Sequence, residues 1–239
     1  MMPIIKIKYI LIILTIFINK TTSITCEFNV KLIQTLHNEG FHRNITYEIE
    51  YGAHGDQTRW YEGCSVGLEQ VLPSSLYSSP DEIDELRYKT TTVFKSKVDI
   101  EASAEQASPI TVHLLGSVRD HRTVLFLPVH ARYHKAVTGG GSARVDIPPP
   151  QLYLNCGPKK LDECDNVSAS NSFCPHGNKY KCLWKPVPIM VSGPLGWPVP
   201  RGDARHRGLA QLGTAAVIVF GSVYILKEIH CFKMRQRKN

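Results

Sequence analysis

Residues 208–226, close to the C-terminus, contain no charged side chain, and this stretch constrains the chain more than any other feature. As a helix it would be about 28 Å long, which is close to the thickness of the hydrocarbon core of a bilayer. No other segment of the sequence is both long and apolar enough to cross. We therefore predict one transmembrane helix over 208–226, preceded by a folded region and followed by a tail over 227–239.

The N-terminus has the three regions of a secretory signal in order. Lys6 and Lys8 precede an apolar run over 9–18, and small polar residues follow that run. As a helix the run would cover about 15 Å, roughly half of what a bilayer requires. We predict a signal peptide over 1–23 that is cleaved after Ser23, with an uncleaved anchor as the alternative.

The distribution of charge predicts the orientation. The formal net charge is +7, but residues 24–226 carry as many basic as acidic side chains, so the excess lies at the two ends. Basic residues are enriched on the cytosolic side of a membrane helix, which places the tail in the cytosol and 24–207 in the lumen as a single-pass type I protein. The neutral lumenal region argues against a nucleic-acid partner, and a basic tail beside a membrane favours contact with membrane lipid.

Alternating side chains predict one β-rich domain over 24–207. The clearest pattern is at 44–51, where Ile45, Tyr47 and their alternate neighbours are apolar and the intervening residues are polar. The spacing of such runs predicts a mainly β fold, an antiparallel sandwich-like domain. Further short strands are predicted at 28–33, 91–100, 110–115, 124–133, 143–147 and 152–156.

One short surface helix interrupts this pattern. Ser79 suits the N-cap, Pro80 suits the first helical position, and Asp81 and Glu82 complement the helix dipole. The glycines of 139–142 predict a flexible turn, because consecutive glycines lose too much entropy inside a strand.

Topology divides the seven cysteines of the chain. Cys231 would lie in the reducing cytosol, as a free thiol or a palmitoylation acceptor. An even number of lumenal cysteines predicts disulfides, in a pairing that the sequence leaves open. The last four of them, with His176, form an alternative zinc set, but they lack the close Cys-x-x-Cys pairs of structural zinc sites. The disulfide candidates are Cys26, Cys64, Cys156, Cys164, Cys174 and Cys182.

The segment 125–134 carries the most distinctive chemistry. Pro128 removes a ladder donor where an apolar run turns polar. One side of an extended chain would therefore pack in the domain, and the other side would be available to a partner. Val129, Ala131 and Tyr133 fall on the first side, and His130, Arg132 and His134 on the second.

The same segment allows two other interpretations. Arg132 could pair with a local carboxylate while His130 caps a neighbouring turn. Joint chelation of zinc by His130 and His134 is disfavoured, because residues four apart on a strand are roughly 13 Å from each other.

Together with 148–156, this segment resembles the signature of the phosphatidylinositol-glycan biosynthesis class X (PIG-X) family. Other motifs fit the same family in the same order, and the match runs from about residue 40 to residue 182. They are Gly40-Phe41-His42-Arg43, Cys64, the turn at 72–77 with the acidic helix after it, and 98–101.

The resemblance implies a non-catalytic, stabilising subunit of the endoplasmic-reticulum mannosyltransferase that adds the first mannose to the glycosylphosphatidylinositol precursor. It also implies the partner, a multi-pass catalytic mannosyltransferase subunit of the PIG-M type. Under it, His130, Arg132 and Tyr133 would serve the fold or subunit contact. The protein would lie in the endoplasmic-reticulum membrane, without a small-molecule substrate of its own.

The residues also argue against an enzyme. The predicted membrane helix has no charge, and the sequence lacks the Asp-x-Asp, Gly-x-Ser-x-Gly, phosphate-loop and Cys-x-x-Cys motifs, so we expect no catalytic site and no cofactor. That helix instead offers a stripe of small or slender side chains for another helix, although a generic anchor would also allow it. The stripe comprises Ala210, Thr214, Val217 and Gly221.

Two other classes of protein share part of this pattern. A glycosylphosphatidylinositol-anchored product should end in its apolar stretch, whereas a polar and basic tail follows here. A type I cell-surface receptor or adhesion protein is the main alternative, and Arg201-Gly202-Asp203 could be taken as an integrin ligand. That tripeptide lies too close to the predicted membrane helix for an integrin head to reach.

Two glycosylation motifs, at Asn44 and Asn166, test the predicted orientation. In a eukaryotic host we expect a glycosidase-sensitive mass shift that disappears only when both asparagines are changed to glutamine. Electrophoresis of the treated and untreated protein measures it. The absence of any shift would contradict a lumenal domain.

Overall fold

The structure is a computed structural model that describes residues 28–52, 61–88, 90–156 and 184–236. Several predicted features lie outside the described residues. They are the signal peptide over 1–23, the end of the tail, Asn166, His176, Cys26, Cys164, Cys174 and Cys182.

The described residues are mainly β, as predicted. Their helices are α1 (Pro80–Glu85), a 3₁₀ turn (Ala204–His206) and α2 (Arg207–Gln236). Their strands are β1 (Val30–His37), β2 (His42–Tyr51), β3 (Ser65–Leu72), β4 (Leu76–Tyr77), β5 (Thr91–Phe94), β6 (Ile110–Ser117), β7 (Arg122–Ala131), β8 (Gly141–Ile147), β9 (Gln151–Asn155), β10 (Lys185–Val187), β11 (Met190–Val191) and β12 (Leu195–Arg201).

These strands form two five-stranded sheets and a pair. The first sheet has the order β11-β1-β2-β7-β4, the second has the order β10-β9-β3-β6-β5, and β12 pairs with β8. Among the described strands the ladders are antiparallel, except for the short parallel contact between β1 and β11. The buried faces of both sheets share one apolar core, which confirms the sandwich-like prediction.

A buried polar contact ties the two sheets together inside this core. The Tyr47 hydroxyl of β2 donates to Oε1 of Gln70 on β3 at 2.9 Å. Burial raises the pKa of Tyr47 far above its usual value, so the hydroxyl remains protonated and able to donate. The Gln70 amide nitrogen in turn donates to the carbonyl oxygens of Val71 and Pro148. Each partner is satisfied, which removes the main cost of burying an amide.

Two of the cysteine candidates form a disulfide. Cys64 precedes β3 and Cys156 follows β9, and these strands are neighbours in the second sheet. The disulfide therefore closes the end of that strand pair. Cys231 on α2 is a free thiol.

Some strands differ from the predictions because local features override the pattern. β12 was not predicted, because Pro198 and Pro200 argue against a strand. Both prolines are exposed, and among the described strands β12 pairs with β8 alone, so it is an edge strand in which a missing N–H costs little. β5 ends at Phe94 rather than at residue 100. Downstream, the Asp99 carboxylate accepts the backbone N–H groups of Glu101 and Ala102 and turns the chain.

The glycine turn and the ends of two elements also differ. Gly139 and Gly140 make the turn with positive φ, while Gly141, predicted to belong to it, begins β8. β7 ends at Ala131 instead of residue 133. α2 continues to Gln236, ten residues past the predicted end of the membrane helix, because the residues after 226 include good helix formers. Its length and apolar surface are sufficient to cross a membrane.

Replacing Cys64 and Cys156 with serine together is expected to lower the free energy of unfolding by about 2–4 kcal/mol, because the unfolded chain regains the entropy of a long loop. Urea denaturation of the purified protein without reductant measures this change. Cys231→Ser serves as the matched control and should leave the midpoint unchanged. Equal midpoints for all three proteins would contradict a stabilising role for the disulfide.

Candidate functional site

Three motifs that are separate in sequence meet at one end of the first sheet. His42 lies opposite His130 in the β2–β7 ladder, and Tyr77 lies opposite His130 in the β4–β7 ladder. Directly opposed residues in antiparallel strands project from the same face. Their side chains therefore stand in a row across the outer face of three adjacent strands.

The rings in this row stack. The ring centroids of His42 and His130 are 4.3 Å apart, and those of His130 and Tyr77 are 5.0 Å apart. The Arg132 guanidinium lies 4.7 Å from the Tyr77 ring centroid on the same face. We call these four side chains, His42, His130, Tyr77 and Arg132, the aromatic row.

A carboxylate from α1 joins the two imidazoles. Nε2 of His130 is 2.8 Å from Oε2 of Glu82, and Nε2 of His42 is 2.9 Å from Oε1. The helix is held against the sheet by Ile83, which is buried, and by the preceding Ser78, whose hydroxyl donates to the carbonyl of Pro128. Each oxygen of one carboxylate thus contacts one imidazole.

Arg132 is buried rather than available to a partner, which corrects the sequence interpretation. Its side chain is 3 % exposed, and Nη1 donates to the carbonyl of Ala102 at 2.7 Å. The hydrogen-bond partner is a carbonyl, whereas the alternative interpretation had proposed a carboxylate. Burial lowers the pKa of Arg132, and the negative charge of Asp99 opposes that shift. The segment that contains 98–101 therefore covers this end of the row.

Tyr133 is exposed, although the alternating pattern placed it on the packed side. β7 ends two residues earlier, so the pattern no longer applies, and 77 % of Tyr133 is accessible. Its ring lies 5.1 Å from the ring of Phe41. Its backbone oxygen accepts the N–H of Ala104. The prediction that Tyr133 packs in the domain is therefore wrong.

His134 does not join His130. Its Nδ1 lies 3.8 Å from a carboxylate oxygen of Glu105, whereas His130 contacts Glu82. Nε2 of His134 is buried without a hydrogen-bond partner. The two histidines therefore belong to different surroundings, in agreement with the strand-spacing argument against joint chelation.

Glu82 and the contact of His42 with His130 were missed by sequence reasoning. Glu82 was expected only to complement the helix dipole, and His42 only to be part of the Gly40-Phe41-His42-Arg43 motif. No local pattern links these residues, because strand register and the placement of α1 bring them together. One signal was available in the sequence: the helix that carries the Glu82 carboxylate directly follows the short strand β4, which lies at the edge of the sheet.

The remaining candidates lie elsewhere. Asn44 is half-buried on β2, at a groove that Phe126 and Pro128 also line. The predicted docking stripe lies on α2 and is exposed in the described chain, and a Cβ added at Gly221 would meet no atom within 4 Å. The stripe consists of Ala210, Thr214, Val217 and Gly221.

Known proteins are similar to this chain over most of its length. It is similar to a protein of Homo sapiens described as "GPI alpha-1,4-mannosyltransferase I, stabilizing subunit", with 26% identity over 204 residues, 82% of this chain and 78% of that protein. Proteins of Rattus norvegicus and Mus musculus with the same description are each 24% identical over 211 residues, 84% of this chain, and 82% and 81% of their own lengths.

A family model described as PIG-X / PBN1 matches residues 38–230. This range contains the aromatic row, Glu82 and most of α2. It covers well over half of the sequence, in agreement with the resemblance carried by the motifs. The chain belongs to the PIG-X / PBN1 family.

Proposed function

We propose that this protein is the non-catalytic, stabilising subunit of the endoplasmic-reticulum mannosyltransferase that adds the first mannose to the glycosylphosphatidylinositol precursor. The observation that carries the proposal is the similarity to relatives described as the stabilizing subunit of that enzyme. The matched region includes both the β domain and most of α2. Both parts of the molecule therefore belong to the functional unit.

The partner under this proposal is a multi-pass catalytic mannosyltransferase subunit of the PIG-M type. The apolar stretch of α2 is not buried against the described β domain. Its surface is therefore free to contact lipid or another helix. The stripe that ends at Gly221 allows close approach of a neighbouring backbone. The single helix would lie along the helices of the catalytic subunit.

The lumenal contact would centre on Tyr133 and Phe41. Aromatic side chains are enriched at the energetic centres of interfaces, and Tyr133 is the more exposed of this pair. His130 is mostly buried and Arg132 is buried. They would position the strand end, while Tyr133 would touch the catalytic subunit.

The proposed location is the endoplasmic-reticulum membrane, as a single-pass type I protein with a cleaved signal peptide. The orientation follows from the basic tail, of which Lys233 and Arg235 lie in the last turn of α2. These side chains would lie beside the cytosolic headgroups and contact anionic lipid. The β domain would then be in the lumen.

The receptor alternative receives no support from the Arg201-Gly202-Asp203 tripeptide. The Asp203 carboxylate accepts the backbone N–H of Gly139 and binds the guanidinium of Arg205, with a closest contact of 2.6 Å. These interactions hold the pKa of Asp203 far below its usual range. An integrin ligand needs an available carboxylate, whereas this one caps a turn at the base of the domain.

In cells that lack the class X subunit, expression of this protein is expected to restore surface glycosylphosphatidylinositol-anchored proteins, measured by flow cytometry. The catalytic subunit should co-precipitate with it and regain abundance on immunoblots, because a bound partner shields its surfaces from degradation. An unchanged level of the catalytic subunit without association would contradict the proposal.

Tyr133→Ala is expected to weaken association with the catalytic subunit by about tenfold or more, as for an aromatic residue at an interface centre. Quantitative co-precipitation from detergent extracts measures the change. Tyr88→Ala is the matched control, since Tyr88 is also 77 % exposed but lies after α1. Both variants should melt at the temperature of the unmodified protein. Equal losses in the two variants would argue against a specific contact at Tyr133.

A further inference from the structure

We propose that His42, Glu82 and His130 form a binding site for a divalent transition-metal ion, with Zn²⁺ as the preferred ion. Each residue offers one ligand atom, and these atoms all lie within 4.8 Å of one another. In the described part of the chain this is the group of histidine, cysteine and acidic residues that meets that condition. The proposal concerns the fold of the β domain and does not depend on the proposed function.

The chemistry of the donors suits zinc. Zn²⁺ binds imidazole nitrogen at about 2.0–2.1 Å and carboxylate oxygen at about 2.0–2.2 Å, in a tetrahedral arrangement. Two imidazoles and one carboxylate supply three ligands and leave a fourth position for water. Among divalent ions, imidazole ligands favour zinc and its neighbours over Mg²⁺ or Ca²⁺, which prefer oxygen.

The three donors converge without a rearrangement of the backbone. Strand register places the two imidazoles side by side, and both direct Nε2 toward Glu82. Stacking on Tyr77 restricts the ring of His130. The buried Ile83 fixes the helix turn that carries Glu82. An ion between the three groups would replace the direct contacts of 2.8 and 2.9 Å through small side-chain movements.

The site is also accessible. The side chain of His42 is 50% exposed, while those of His130 and Glu82 are 24% and 25% exposed. An ion can therefore enter from solvent on the His42 side and retain a water there. On the other side, the ring of Tyr77 covers His130.

Without an ion, the two imidazoles share the two oxygens of one carboxylate. Hydrogen bonds between partly exposed groups add little to stability. A bound ion would instead connect β2, β7 and α1, three elements that are distant in sequence, at the edge of the proposed subunit contact.

The test uses the full chain, purified in detergent without reductant so that its disulfides remain intact. The protein is stripped with a chelator, dialysed and titrated with ZnCl₂ alone. Zinc content by mass spectrometry and the melting temperature are measured for the unmodified protein and for His42→Asn, Glu82→Gln and His130→Asn. His121→Asn is the matched control, because His121 lies 3.7 Å from the Glu62 carboxylate but has no second histidine in that pair.

Asparagine is suitable at His121, since that residue has a φ of 58°, a conformation that asparagine tolerates. Zinc held elsewhere, for example by cysteines, would be common to all five proteins, so the difference between them isolates this site.

We expect one additional zinc ion per chain and a higher melting temperature with ZnCl₂ for the unmodified protein and the His121→Asn variant. Each of the other three substitutions should weaken zinc binding by at least about 100-fold, since even the loss of an outer partner of a metal ligand costs up to that much. Should one histidine variant fail to fold, Glu82→Gln, which retains a hydrogen-bonding side chain on an exposed helix, gives the same comparison. Equal zinc content and equal thermal response in all the folded proteins would overturn the proposal.

Discussion

The register between β2 and β7 is the constraint on which the rest of the structure depends. It pairs Ile45 with Leu127 inside the domain and His42 with His130 outside it. Because side chains alternate between the two faces of a strand, a slip of one residue would exchange the buried and exposed sets. The apolar core therefore enforces the register, and the register in turn creates the stacked imidazoles on the outer face. Core and site cannot vary independently here.

Features that depend on neighbouring residues were predicted from the sequence, whereas features that depend on residues far apart in the chain were not. β2 was predicted within two residues of its start because its pattern is local, and α1 was predicted because Pro80 and the acidic first turn are local signals. β12 was missed because its prolines argue against a strand unless its position at an edge is known. The sequence also left the pairing of Cys64 with Cys156 open, because it depends on β3 and β9 being neighbours in the sheet.

The candidate site shows the same limit more sharply. Sequence reasoning identified His130, Arg132 and Tyr133 as a group, but it could not find Glu82, which arrives from α1. It also reversed the exposures of Arg132 and Tyr133. Strand alternation predicted the faces only as far as Ala131, where β7 ends. Beyond that residue the chain is fixed by contacts with the segment around 99–105, and such contacts leave no periodic signal in a sequence.

The burial of Arg132 explains how an exposed residue beside it can have a defined position. Burying a guanidinium is costly, and Nε of Arg132 has no hydrogen-bond partner. The charge of Asp99, the carbonyl of Ala102 and the face of Tyr77 offset part of that cost. All of these contacts require the chain at residue 132 to hold one conformation. Tyr133 follows immediately, so the same contacts limit the directions in which its ring can point.

A stabilising subunit needs no reactive group, but its surface must be presented in a fixed geometry, because an ordered aromatic side chain loses less entropy on binding. Under the proposed contact at Tyr133, the buried cation would support recognition without touching the partner.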